Sequence, residues 1–157
     1  MSYVAQTPLQ PSLTEEMQRL WHARIPLASA LGVRIVELDE RNLVVAAPLA
    51  ANANHMGTGF AGSLLAVASL TGWGTVVAVL GRADVAQVVV QETAASFLEP
   101  VTGDFRVHGI LPDAAARERF LDAFRRRGRA RVTIIVEVVQ AQRVVMRAES
   151  RFVALRA

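Results

Sequence analysis

Asn54-His55-Met56-Gly57-Thr58-Gly59-Phe60-Ala61-Gly62-Ser63 opens a stretch that carries no Asp, Glu, Arg or Lys before Gly81. A segment that apolar is buried on nearly every side, either in protein or in lipid. Its entrance is polar and glycine-rich, which sets backbone N–H groups and side-chain donors at the mouth of a buried helix. Such a mouth can bind or polarise a carbonyl. About 20 apolar residues would also span a bilayer. Gly57, Gly59, Gly62, Gly72 and Gly74 dilute the hydrophobicity, however, and a span here would divide the flanking strands between two compartments with open edges. The expectation is a buried central helix over about 60–80, ended by Gly81, and no membrane span.

Upstream, Thr7 to Ser12 is a Pro-containing lead-in. Thr14 is the expected N-cap, with Glu15 and Glu16 in the first turn. Met17, Leu20, Trp21 and Ile25 recur at helical spacing, so a helix runs to about Arg24, where Pro26 interferes. Residues 1–30 thus form a lead-in and helix. Val33 to Leu38 alternates as a strand, Asp39 to Asn42 turns, and Leu43 to Ala47 returns. Pro48 closes this hairpin and 49–59 is a loop. Downstream, Val85 to Leu98 reads as a long strand, Glu99 to Gly103 as a turn and Asp104 to Leu111 as another strand. A helix begins at Pro112-Asp113, shows Phe120, Leu121 and Phe124 as its stripe, and stops at Gly128. Arg131 to Val139 and Arg143 to Leu155 form a last hairpin. Hairpin spacings favour antiparallel pairing. The expected architecture is one α+β domain over residues 1–157, a long antiparallel sheet wrapped around the uncharged helix.

Composition narrows the function classes. Of 157 residues, 52% are hydrophobic and 20% charged, which excludes a disordered chain. All basic residues are arginine, a choice that points to genome composition, and a net charge of +3 does not call for nucleic acid. With no cysteine, disulfides and thiolate chemistry are excluded. His22 and His108 are isolated, so no metal site is expected. The N-terminus has neither a basic start nor an apolar core, so no secretory signal is expected and the cytoplasm is the expected location.

Three motifs stand out: Asn54-x-x-Gly57-Thr58-x-Phe60-Ala61-Gly62-Ser63, Thr71-Gly72-Trp73-Gly74, and Ser96-Phe97-Leu98-Glu99-Pro100-Val101-x-Gly103-Asp104. With Phe120 to Arg131, they resemble the hotdog fold, and within it the thioesterases of the YiiD C-terminal type in the 4-hydroxybenzoyl-CoA and PaaI-like superfamily. The likeness spans roughly Leu31 to Leu155. It implies a homodimer, with a tetramer left open, whose two sheets join side by side and whose sites form at the interface. It also implies a thioester carried on coenzyme A or acyl carrier protein, with no cofactor beyond that carrier. Against the PaaI-like pattern, Asn54, Gly57-Thr58 and Ala61-Gly62 fall on motif positions. Phe60 stands at the motif histidine, and Ser69 stands where relatives carry a helix carboxylate. Glu99 replaces an Arg common in relatives.

Thioester hydrolysis needs a stabilised oxyanion and a positioned water. Gly62 is the expected oxyanion donor through its N–H, or else a packing glycine. Asn54 either orients the reactants or braces its loop by turn-like bonds. His55 is the one side chain of the motif suited to general-base work near neutral pH, unless it is simply exposed. Ser69 and Thr71 either line the acyl tunnel or bind water across the dimer as part of the catalytic set, or else bond the carbonyl four residues back. Glu92 either supplies the missing carboxylate from the sheet or sits in a solvent-side ion pair. Thr58, Phe60, Ala61 and Ser63 complete the expected substrate-binding set. Arg125, Arg126, Arg127, Arg129 and Arg131 either meet coenzyme A phosphates or complement the helix dipole. The expected function is thioester hydrolysis; a non-catalytic acyl-binding protein and a hotdog dehydratase or hydratase are the alternatives.

Overall fold

The computed structural model describes residues 12–157, so all of the expected lead-in but Ser12 lies outside the described residues. Helix α1 (Leu13–Arg24) is capped by Ser12 rather than Thr14. The Ser12 hydroxyl accepts from Glu15 N–H and the Glu15 carboxylate accepts from Ser12 N–H, a reciprocal pair that fixes the start. Pro26 does not end the helical run but restarts it as α2 (Pro26–Leu31), because its missing N–H falls where a helix has no partner for one. Gly32 closes α2 with φ of 67°.

Strands β1 (Arg34–Leu38) and β2 (Asn42–Ala47) form the expected hairpin. The central helix α3 (Ala61–Leu80) is followed by β3 (Ala86–Phe97), β4 (Phe105–Ile110), α4 (Ala114–Arg127), β5 (Arg129–Gln140) and β6 (Arg143–Arg156). All six strands join one antiparallel sheet in the order β1-β2-β4-β5-β6-β3. The sequence neighbours β3 and β4 are thereby sent to opposite sides of the β5–β6 hairpin. One core cluster runs from Met17 and Trp21 of α1 through Val67 and Val76 of α3 to Phe120 and Phe124 of α4.

The glycines that dilute α3 let it lie close to its neighbours. A Cβ at Gly72 would stand 2.8 Å from the Phe152 ring, and one at Gly74 would stand 2.6 Å from Leu43. Opposite them, a Cβ at Gly109 of β4 would run into the Thr75 hydroxyl. Helix α3 is long and apolar enough to cross a membrane, yet its residues Leu64, Val67, Ala68, Thr71, Gly72 and Thr75 to Val77 are buried against the sheet. Burial is not complete, however. Gly62 and Ser69 are exposed and Leu65 and Ala66 half-buried, so one stripe of an apolar helix faces outward at i, i+3, i+4, i+7 spacing.

The two sheet edges are treated differently. On β1, the Gln18 side chain acts as a further strand residue: its Oε1 accepts from Ile35 N–H at 2.6 Å, and its Nε2 donates to Val33 C=O at 3.3 Å. On β3, only the β6 side is paired. Nine of its twelve residues are exposed, including Val89, Val90 and Phe97. A long, open apolar edge of this kind is a template for another strand.

Candidate active site

The loop before α3 is built around Asn54. Its Oδ1 accepts from Met56 N–H at 2.9 Å and Thr58 N–H at 3.1 Å, while its Nδ2 donates to the Thr58 hydroxyl at 2.8 Å. These bonds, with Gly57 at φ of 76°, close a tight polar turn. Asn52 anchors the loop from beneath, donating to Leu31 and Pro48 carbonyls at 2.8 and 2.7 Å. Gly59 N–H then bonds Val101 C=O, and Phe60 N–H bonds Asn52 C=O. The chain is thus delivered to the first turn of α3 in a fixed direction.

That first turn is open. Phe60, the N-cap, offers no side-chain acceptor. The first intrahelical bond is Leu64 N–H to Phe60 C=O, so the N–H groups of Ala61, Gly62 and Ser63 precede any partner within the helix. Gly62 is exposed, and the Phe60 ring lies over it, 2.7 Å from where a Cβ would stand. The turn opens on a cleft of about 490 Å³. Asn54, His55, Thr58 and Glu99 supply its polar rim, and Phe60, Leu64, Phe97 and Leu98 its apolar wall. Donors without partners, at the positive end of a helix and beside an apolar wall, suit a carbonyl that gains negative charge while carrying an acyl chain.

Of the expected residues, Asn54, His55, Thr58, Phe60 and Ala61 line this cleft, with Gly62 and Ser63 in the same first turn. Ser69 lies two turns along the open stripe, its hydroxyl donating to Leu65 C=O at 2.8 Å. Thr71 and Glu92 are elsewhere. Thr71 is fully buried and its hydroxyl donates to Val67 C=O, so it cannot touch a substrate in the cleft. Glu92 pairs with Arg151, its cross-strand partner. Arg151 lies between buried Ser150 and Phe152, so both charges project from the face opposite α3. Glu99, absent from the expected set, is the carboxylate that does line the cleft, held by Arg143. Its signal was visible as an acid replacing a usual Arg.

Fold and cleft together define a hotdog protein of the thioesterase class. The chain belongs to the family described as "Putative thioesterase (yiiD_Cterm)", which matches residues 14–156. A "putative thioesterase" from Shewanella oneidensis is 27% identical, covering 91% of this chain and 97% of that one, with a TM-score of 0.81. A Pseudomonas aeruginosa protein described as a probable thioesterase is 26% identical, covering 94% and 99%, with a TM-score of 0.77. A Haemophilus influenzae thioesterase shares the fold at 14% identity, covering 94% and 93%, with a TM-score of 0.70.

Proposed function

We propose that this chain is an acyl-thioester hydrolase that works as a homodimer on substrates carried by coenzyme A or acyl carrier protein. The observation that carries the reading is the uncapped first turn of α3, open onto a cleft with an apolar wall. The Gly62 N–H donates to the thioester oxygen as water adds to the carbonyl carbon. The acyl chain lies along Phe60, Phe97 and Leu98. His55 takes the proton of the attacking water, because the other ionisable group of the cleft, Glu99, is engaged by Arg143. The tetrahedral oxyanion then collapses, the C–S bond breaks, and the thiolate leaves to be protonated. Asn54 contributes by holding the loop that carries His55. No resident metal or cofactor is required, and the reaction suits a cytoplasmic enzyme.

The half-open stripe of α3 and the bare edge of β3 support the dimer, since antiparallel pairing of two β3 strands would cover both. The test is thiol release from a panel of acyl-CoA and acyl-carrier substrates. Steady turnover that falls on Gly62→Ala is the expected result. Tight acyl-thioester binding without release at any chain length would replace this reading with a non-catalytic binding protein, which the lack of a carboxylate on α3 favours. Hydration of an enoyl thioester would point instead to a hydratase.

A further inference from the structure

Strands β3 and β4 are consecutive in the chain but lie on opposite sides of the β5–β6 hairpin. The segment between them must therefore cross the turn end of that hairpin. On its way it supplies Leu98, Glu99, Pro100 and Val101 to the cleft. A crossing segment has no ladder of its own, so its backbone groups need other partners. Two anchors provide them. Val145 C=O accepts from Leu98 N–H at 2.8 Å and from Glu99 N–H at 3.1 Å. Gln140, the last residue of β5, holds the far end with its side chain. Its Oε1 accepts from Thr102 N–H at 2.5 Å and Gly103 N–H at 3.0 Å, and its Nε2 donates to the Thr102 hydroxyl at 3.2 Å. Between the anchors lies Val101, which is buried, and its C=O accepts from Gly59 N–H at 2.8 Å. The approach is close, since a Cβ at Gly59 would stand 2.8 Å from the Val101 Cβ.

We propose that Gln140 is a positioning residue for the cleft, an inference that rests on the cleft being the thioester site. Gln140 does not line the cleft itself. It fixes Thr102 and Gly103, these fix Val101, and Val101 fixes Gly59, the residue before the N-cap of α3. The cleft wall and the open first turn are thus set against one another through a single side chain. The amide suits the task, because one oxygen takes two N–H groups while the nitrogen answers a hydroxyl. The turn beside it is built for the same end. Ala141 and Gln142 have φ of 48° and 63°, as in the two-residue turns that reverse a hairpin at once. That reversal ends β5 beneath Thr102. Neither residue is Asn or Gly, so the left-handed backbone is adopted at a cost in stability. Asn-Gly would take the same turn without that cost, which allows stability to be raised while Gln140 is left alone.

Turnover and amide exchange of the full chain test this together. Gln140→Ala is expected to lower kcat/KM for an acyl thioester about tenfold or more, the scale of a small misplacement of reacting groups. It should also speed hydrogen exchange at the Gly59 and Gly103 amides. Gln140→Glu keeps an acceptor for both N–H groups and is expected to recover most of the turnover. Ala141→Asn/Gln142→Gly should raise the thermal midpoint and leave turnover unchanged. Added to Gln140→Ala, it should return the lost midpoint without returning kcat/KM. Turnover that recovers along with the midpoint would reduce Gln140 to a stabilising residue and overturn the proposal. So would unaltered exchange at Gly59 in Gln140→Ala, or a loss in Gln140→Glu as deep as in Gln140→Ala. Exchange is read without turnover. An inactive chain whose Gly59 amide quickens on Gln140→Ala sinks the hydrolase reading alone, whereas an active chain whose kcat/KM ignores Gln140→Ala sinks the positioning role alone.

Discussion

Gly62 and Phe60 act as one unit, because the ring occupies the space that a side chain at 62 would need. Gly62→Ala keeps the N–H but displaces the far end of a flexible side chain, so the fold survives and the approach to the donor changes. We expect kcat/KM to fall about 10²-fold, the scale of a misplaced reacting group, with little change in thermal midpoint. Phe60→Ala in the same chain should return part of that loss, since contacting residues are non-additive. An unchanged kcat/KM in the single variant would remove Gly62 from the mechanism. The base is tested separately. His55→Ala is expected to lower kcat about 10²-fold or more, while Glu99→Gln leaves kcat near wild type. The reverse pattern would make Glu99 the base. The motif pointed to Asn54 and Gly62 through residue type, spacing and the family resemblance. It could not disclose that the Asn54 oxygen is turned onto Met56 and Thr58, since that depends on how the loop closes.

At the scale of elements, most strands and helices were legible because alternation and capping residues act locally. Glu92 admitted two readings; the solvent-side ion pair is the one the structure has, and the reason is a bulge. Val88 and Val90 stand opposite Ala154 and Phe152 on the α3 side, and Thr93 and Ala95 stand opposite Ser150 and Ala148 on that same side. The extra residue between Val90 and Glu92 shifts the register. Strict alternation would have turned Glu92 inward, and the bulge turns it outward. The contact between α3 and β4 was equally hidden, because only assembly shows that Gly109 faces the Thr75 hydroxyl, itself bonded to Thr71 C=O. Gly109→Ala should therefore cost about 1–3 kcal/mol or more in denaturant unfolding, and Thr75→Ala in the same chain should recover part of it. A cost as small as that of an exposed substitution would show that α3 can move away freely. The β1–β2 turn adds a pH-dependent contribution. Arg41 and Asn42 N–H groups, both at 2.7 Å, hold the Asp39 carboxyl below its usual 3.8. A lowered folded value contributes stability above the unfolded value and loses it as pH falls. Asp39→Asn should thus be less stable than wild type at neutral pH, with the gap closing as the solution is acidified through and below 3.8. A gap that persists in acid would assign the effect to geometry rather than charge.

For the whole molecule, the asymmetry of the two sheet edges bears on the proposed dimer. On the β1 edge Gln18 already answers Ile35 N–H and Val33 C=O, so a second chain gains less there. The β3 edge leaves its outer backbone groups to solvent and shows Val90, 47% exposed, near its middle. The adjoining α3 stripe of Leu65 and Ala66 is half-covered in the same way. One partner strand would answer the backbone groups and the apolar stripe together, as the proposed dimer requires. Val90→Lys places a charge on the apolar edge that the proposed pairing would cover, which opposes pairing. Wild type is expected to sediment at about twice the chain mass of 17.0 kDa, and Val90→Lys at the chain mass. Each monomer should keep its fold, because Val90 contributes little to the core, but its turnover should fall if, as proposed, the partner completes the cleft by Phe97. A variant that remains dimeric and fully active would show that β3 is not the joining edge, and would leave its exposed valines to another role.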